Sequence, residues 1–282
     1  MKNSKPIVTF STKAAIALAL GSLTGITHAA DANSEKNTGW RTQVSADYFR
    51  YDATYKLKLE TDRPEVSGTK SGDLGGASFS FSPPNWESWF DLSARSGRLT
   101  GDINYTSPTL GYGTSALRSD LTEFEGRWRF FATKVGTFGL SFLYQNWDSL
   151  EALSYSGGTK RDISYKVDNY VGQLFFGFGK IWHPFDGRFG IGPRFEIGGG
   201  AGTSDTTRPG YQNTVLLDGY GIATLQLSYT LGTEKSYGVL FVDAGAKANY
   251  FYGFVSKSDA AQQSESQWLY GPYARVGFRY SF

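Results

Sequence analysis

From about residue 39 to the end of the chain, apolar side chains recur at every second position, over stretches longer than an ordinary strand. Along 137–145, Phe138, Leu140, Phe142 and Tyr144 take one face, against Gly139, Ser141, Leu143 and Gln145. Along 122–130, Thr122, Phe124, Gly126, Trp128 and Phe130 oppose Glu123, Glu125, Arg127 and Arg129. The same pattern runs through 189–197, 217–229 and 240–250. Several of these stretches exceed the roughly 5–6 residues that globular strands favour. Past residue 30 there is no apolar run of the ~20 residues a helical span requires. A transmembrane strand needs about 9–11 residues, apolar outward and polar inward. Lipid admits only helices and closed barrels, because every backbone polar group must be paired. The expected fold is therefore all-β: a transmembrane, antiparallel, up-and-down β-barrel. Composition agrees, with 16% aromatic residues, 35 glycines and only 19% charged residues.

The N-terminal segment follows a different rule. Lys2, Lys5 and Lys13 precede a short apolar run, 14–20, and then small residues up to Ala29 and Ala30. This is the pattern of a secretory signal peptide over residues 1–29, cut after Ala29 or Ala30. The run is too short to anchor the chain as a helix. Its removal takes away three lysines and no acid, so the formal charge of +2 becomes −1. Such a balance excludes a surface for nucleic acid or other polyanions. The absence of cysteine excludes disulfides, zinc–thiolate sites and cysteine nucleophiles.

The last stretch, 268–282, places Trp268, Tyr270, Pro272, Ala274, Val276, Phe278, Tyr280 and Phe282 on one face. In Val276, Phe278, Tyr280 and Phe282 the chain resembles the bacterial outer-membrane β-barrel proteins. Their final strand ends in an aromatic residue with a second aromatic two positions before it. The resemblance implies integration into the outer membrane of a Gram-negative cell, with outer-membrane lipid and the barrel assembly machinery as partners. It also implies that this strand is the assembly signal.

Turn chemistry at 82–86, 132–136, 183–188 and 232–235 marks four short connections. Longer polar stretches near 52–72, 106–118, 148–162, 198–214 and 255–266 mark five external loops. Together they join ten strands: 39–51, 73–82, 88–104, 119–131, 137–147, 163–182, 188–197, 215–231, 236–254 and 267–282. Eight or twelve strands result if the brief second strand fails or the long sixth one bends. An even number puts both termini in the periplasm, and 30–282 forms one monomeric barrel domain. A β-bulge or a strand end is expected at Pro193 and at Pro272. The glycine run 198–202 reads as a flexible external loop. Trp40, Trp86, Trp89, Trp147, Trp182 and Trp268 fall near strand ends, as in interfacial girdles.

The inward phases collect Arg41, Arg95, Arg127, Arg129, Arg194, Lys247, Arg275 and Arg279 against Asp47, Asp91, Glu123, Glu125, Glu196, Asp218 and Asp243. Balanced charge in a narrow lumen reads first as a salt-bridged polar plug. A constricted, charge-selective pore is the second reading. Omptin-type barrels, similar in size, are proteases with an essential histidine near the outer rim, and other barrels of this class are Ser-His lipases or lipid A deacylases. Here His28 belongs to the leader and His183 to a short turn, so neither reaches such a site. No cofactor or metal motif is present in the sequence. The expected role is structural or adhesive, through a ligand bound by the external loops. A small-solute channel and an omptin-like enzyme are the rivals.

Overall fold

A computed structural model describes residues 39–281, apart from 60–65, 108–110, 133–135, 156–157, 159, 185–186, 209–212, 234–235 and 255–262. The expected leader, 1–29, and Phe282 of the expected assembly signal lie outside the described residues. The chain forms ten antiparallel strands: β1 (Arg41–Leu59), β2 (Val66–Ser82), β3 (Trp89–Ser107), β4 (Gly111–Ala132), β5 (Gly136–Tyr155), β6 (Lys160–Gly179), β7 (Phe189–Thr206), β8 (Thr214–Thr233), β9 (Ser236–Phe254) and β10 (Gln263–Ser281). Each pairs with its neighbours in sequence, and β1 closes on β10. The result is an up-and-down barrel without free edges, as the alternation required.

The register fixes its geometry. Ser45 leads through Ser78, Ser93, Glu125, Leu143, Val171, Gly202, Leu216, Gly253 and Glu265 back to Leu57 on β1. One circuit therefore climbs from position 45 to position 57. With about 3.3 Å per residue and ~4.8 Å between strands, that stagger tilts the strands by about 40°. Because sheet register changes side-chain facing with period two, the circuit also keeps Ser45 and Leu57 on the same phase. One end of the barrel carries both ends of the described chain and the connections 83–88 and 180–188; it is called the turn end here, and the opposite end the loop end. At 83–88 a turn closes through the Trp86 amide to the Pro83 carbonyl, 3.2 Å. Asn85 there adopts φ +61°, a left-handed value that asparagine tolerates better than most residues.

The strands are longer at the loop end than the sequence indicated. Most of 52–72, 106–118, 148–162 and 198–214 is strand, and β10 begins at Gln263. The reason is a reversal of phase. Near the turn end the outward residues are apolar: Val44, Tyr48, Phe79, Leu92, Phe124, Leu140, Phe142, Leu174 and Val276 are all exposed. Further along β1 to β6 the outward residues become Arg50, Asp52, Asp73, Arg98, Asp120, Asp148, Lys166 and Asp168. The inward ones become Phe49, Tyr51, Leu74, Leu99, Ile103, Leu117 and Leu121, all buried. The lower half is thus apolar outside and polar inside, as a lipid-facing wall must be. The upper half of these strands is built like a water-soluble barrel. Where the phase changes, hydrophobic alternation fades although the strand continues.

Of the two expectations at proline, the first is met by a strand end and the second changes. Pro193 pairs with Leu225 in unbroken register, beyond the last β6 pair at Gly179 and Arg194, so it sits beside a strand end and not in a bulge. Pro272 pairs with Ala246 without a shift, while towards β1 the ladder passes from Asp52–Tyr270 to Phe49–Tyr273. Proline has no amide hydrogen to give that ladder, and the sheet tolerates the gap without a bulge. The register shift that is present lies between Arg129 and Phe131.

The glycine run is strand β7, not a loop. A Cβ on Gly200 would fall on the Gly172 carbonyl oxygen, one on Gly202 on the Tyr170 carbonyl oxygen, and one on Gly198 on the Tyr220 ring. These glycines let β7 approach β6 closely and make room for Tyr220. Gly200→Ala is expected to cost about 1–3 kcal/mol of stability, the usual range for overpacking. Denaturant unfolding of the refolded protein in detergent measures it, with the exposed Ala201→Ser as a near-neutral comparison.

Candidate functional site: a lumen in two chambers

The inward side chains divide the lumen into three zones. An apolar layer crosses it, formed by Phe49, Tyr51, Ala53, Leu74, Leu99, Leu121, Leu143, Trp147, Val171, Leu216, Phe251, Leu269 and Tyr273. Phe49 and Tyr51 pack with ring centroids 3.7 Å apart, and Tyr273 meets Phe49 edge-on at 6.4 Å. Tyr51, Leu74, Leu99 and Val171 have no exposed surface. This apolar layer was not foreseen; the expected salt-bridged network lies beside it, around a charged chamber.

That chamber, on the turn-end side, has a volume of about 600 Å³. All fifteen charged residues singled out in the sequence have inward side chains by register, and most line it or stand just behind its wall. A chain of ion pairs crosses its floor. Arg95 donates from Nε to Asp47, 2.6 Å, and from Nη1 to Glu123, 2.9 Å, with Glu125 at 3.6 Å. Glu125 meets Arg127 at 3.1 Å, and Arg127 reaches Glu196 on β7. Tyr220 donates to Glu196 at 3.0 Å, and Gln145 donates to Glu123 at 2.9 Å. Arg95–Asp47 and Arg127–Glu196 join strands that are not neighbours, so these two contacts tie the wall across the lumen.

Separate pairs hold the wall. Arg129 grips Asp91 through both carboxylate oxygens at 2.6 and 2.7 Å. Arg275 holds Asp243, with Nε at 2.8 Å, and Arg194 stands 4.0 Å from the same carboxylate. Gln173 donates to Asp218. Lys247 lies over the Phe49 ring, 5.4 Å from its centroid. Arg41 and Arg279 flank the ring of Trp89 at 4.9 and 5.7 Å; Arg41 also donates to Ser82, and Arg279 to Gln43. Trp89 and Trp147 thus face inward and not into an interfacial girdle. Trp40, Trp86, Trp182 and Trp268 are exposed. Val276, Phe278 and Tyr280 lie on the outward phase of β10, with Phe278 stacked on Tyr280 at 6.2 Å.

The loop-end chamber is small, about 60 Å³. Arg208, in the connection from β7 to β8, inserts its guanidinium into the lumen and donates to Glu151 at 2.8 Å. Tyr165 donates to the same carboxylate at 2.6 Å. Lys70 sits between the rings of Tyr55 and Trp147, 5.5 and 5.3 Å from their centroids. The sequence reading missed this cap because Glu151 and Arg208 fell in stretches read as loops. The signal that exposes it is the phase reversal: Tyr48 and Phe49, or Leu121 and Phe124, are separated by an odd number of positions.

On the outside, Arg98 pairs with Asp120 at 2.6 Å, with both side chains about half exposed. Such pairs contribute little, because solvent screens them and two long side chains must be ordered. Arg98→Ala is expected to change unfolding stability by no more than about 1 kcal/mol, measured by denaturant titration in detergent.

No protein-family model matches the chain, and no curated protein matches it. Among solved structures it is similar to bacterial outer-membrane proteins. The outer membrane protease OmpT from Escherichia coli matches with a TM-score of 0.47 and 7% identity, covering 89% of this chain and 99% of that one. The transport unit of the autotransporter AIDA-I from Escherichia coli matches with a TM-score of 0.41 and 11% identity, over 94% and 97% of the two chains. The translocator domain of the autotransporter NalP from Neisseria meningitidis gives 0.39 and 13%, over 96% and 97%.

Proposed function

We propose that the chain is an integral outer-membrane barrel that acts through what its loop end displays and not through what its lumen passes. The observation that carries this reading is the buried apolar layer around Tyr51, Leu74, Leu99 and Val171. A hydrophobic constriction of this kind excludes water and ions. The arginine cap at Arg208 and Glu151 adds a second barrier in series. In this reading the turn end with both termini faces the periplasm. Lipid surrounds the belt of Val44, Leu92, Phe142 and Val276. The strand extensions carry the charged outward residues Arg98, Asp120, Asp148 and Lys166 into the medium, where they would meet a partner. We read the protein as non-enzymatic. His183, exposed at the turn-end rim, stands at the opposite end from the loops and supports that view.

The test is electrical. Mature protein, refolded in detergent and shown by its heat-dependent gel mobility to be folded, is inserted into a planar bilayer. The expected record is flat. Discrete, reproducible current steps from the unaltered protein would replace this reading with that of a small-solute channel. Turnover of a peptide or lipid substrate by the pure protein would replace it with that of an enzyme.

A further inference from the structure

The loop-end chamber is filled by the chain itself. Arg208 enters it from the connection between β7 and β8, and not from a strand. Its Nη2 donates to Glu151 Oε2 at 2.8 Å, and its guanidinium lies over the Tyr165 ring, 5.0 Å from the centroid. The Tyr165 hydroxyl donates to the other oxygen of Glu151 at 2.6 Å. Ring face, hydroxyl and carboxylate thus form a slot for one flat cation, with Glu151 fully buried at its base. A guanidinium suits such a slot better than an ammonium, because it stacks on the ring and donates in its own plane.

The backbone beside Arg208 is fixed by other contacts. The Thr207 amide donates to the Lys166 carbonyl at 3.0 Å, and the Lys166 amide donates to the Thr207 hydroxyl at 2.8 Å. The Thr206 amide donates to the Asn213 side chain at 3.0 Å, which ties the two sides of the connection together. Rotation of the Arg208 side chain alone therefore empties the slot. What remains is then unbalanced. Among the described residues, the charged groups of this chamber are Lys70 and Arg208 against Glu151 and Glu265, and the other three stand within electrostatic reach of Lys70. Without Arg208, two carboxylates face one ammonium, which already lies against the rings of Tyr55 and Trp147. A buried carboxylate that loses its partner calls for a replacement cation. The free space beside Arg208 is about 60 Å³, far below the ~300–1,000 Å³ of ordinary ligand sites, so a second cation enters only in its place.

We propose that the slot between Glu151 and Tyr165 is a recognition site for an arginine side chain of a partner, and that Arg208 is its resident stand-in. The partner's guanidinium takes the place of the Arg208 guanidinium, which swings out towards the loop-end rim. The exchange leaves the number of buried charges unchanged. The inference rests on the reading that a partner meets the loop end, and it names the chemistry by which that partner is held.

The experiment is calorimetric titration of the refolded full barrel in a zwitterionic detergent. The probes are two capped peptides, acetyl-Gly-Arg-Gly-amide and acetyl-Gly-Lys-Gly-amide, run separately. In the parent protein the slot is occupied, so its apparent affinity is lowered to the fraction of molecules in which Arg208 is out. Arg208→Ala removes that competitor. The variant is expected to bind the arginine peptide more tightly than the parent by about tenfold or more, and more tightly than it binds the lysine peptide. The arginine peptide is also expected to raise the variant's denaturant midpoint, because it binds the folded state. Adding Glu151→Gln to Arg208→Ala is expected to abolish both effects. Where alanine costs the fold, as judged by loss of heat-dependent mobility, Arg208→Gln repeats the comparison with most of the stem retained. A folded variant with no saturable binding, or with binding no tighter than the parent's, would overturn the inference. So would equal binding of the two peptides, or binding indifferent to Glu151→Gln. Current steps from the parent protein overturn the loop-end reading instead, so the two fail separately.

Discussion

A bilayer holding the variant with Phe49, Tyr51 and Phe251 truncated to alanine, together with Arg208→Ala, is expected to carry current that the parent protein does not. The three aromatic side chains are among the bulky members of the layer that crosses the lumen. Arg208 closes the smaller chamber above it. Because the barriers are in series, Arg208→Ala alone is expected to remain silent, and the triple aromatic variant alone to conduct weakly at most. The truncations also remove packing. Each buried aromatic-to-alanine change costs about 3–5 kcal/mol in a soluble core, so the variant's folded state is verified by its heat-dependent mobility before any current is scored. Tyr51→Ser with Arg208→Ala is the milder version, and it wets the layer at a smaller loss of volume. A folded quadruple variant that stays silent would show that the lumen is closed elsewhere.

Arg95→Met is expected to be the most damaging single substitution among the lumen charges. Arg95 is the shared partner of Asp47, Glu123 and Glu125, and its side chain is 12% exposed. Its loss leaves carboxylates facing one another where water is scarce. Removing one member of a buried ion pair costs about 3–5 kcal/mol, and a node with several partners belongs at the upper end of that range. Denaturant unfolding in detergent reads the loss. The triple variant Arg95→Met, Asp47→Asn, Glu123→Gln is expected to recover most of it, because neutral groups of similar size remove the uncompensated charge. If Arg95→Met is as mild as Arg98→Ala, the ion-pair chain does not hold the barrel together.

The two arginines show what position along a strand decides. Arg95 and Arg98 stand three apart on β3, so period two sends them to opposite faces. Arg98 finds Asp120 in solvent. Arg95 finds three carboxylates from β1 and β4 in the interior. The facing of each was legible in the sequence. The company that Arg95 keeps was not, since Asp47 lies two strands away across a curved wall.

The strand count was legible for the same reason. Each belt-facing stretch announces itself by apolar alternation, and ten of them close the barrel. Strand length was not legible, because above the belt the outward face turns polar and the inward face apolar, as along Arg98, Leu99, Thr100 and Ile103. An eye tuned to one phase reads that reversal as the end of a strand. The glycines of 198–202 misled in another way. Flexibility is the common use of such a run, but here glycine serves close approach of two backbones, a need created by a neighbouring strand.

By itself, then, the sequence determined that the chain must close into a sheet without edges, and which wall each side chain joins. Those properties follow from period two and from the cost of unpaired backbone groups in lipid. Only the tertiary structure decided what meets in the lumen. The stagger that carries Ser45 round to Leu57 brings residues far apart in sequence to one level. It thereby sets Phe49, Leu121 and Phe251 into one apolar layer, and joins Arg127 to Glu196. Alternation is a local property of each strand, whereas stagger is a sum over all ten pairings, and no single strand contains it.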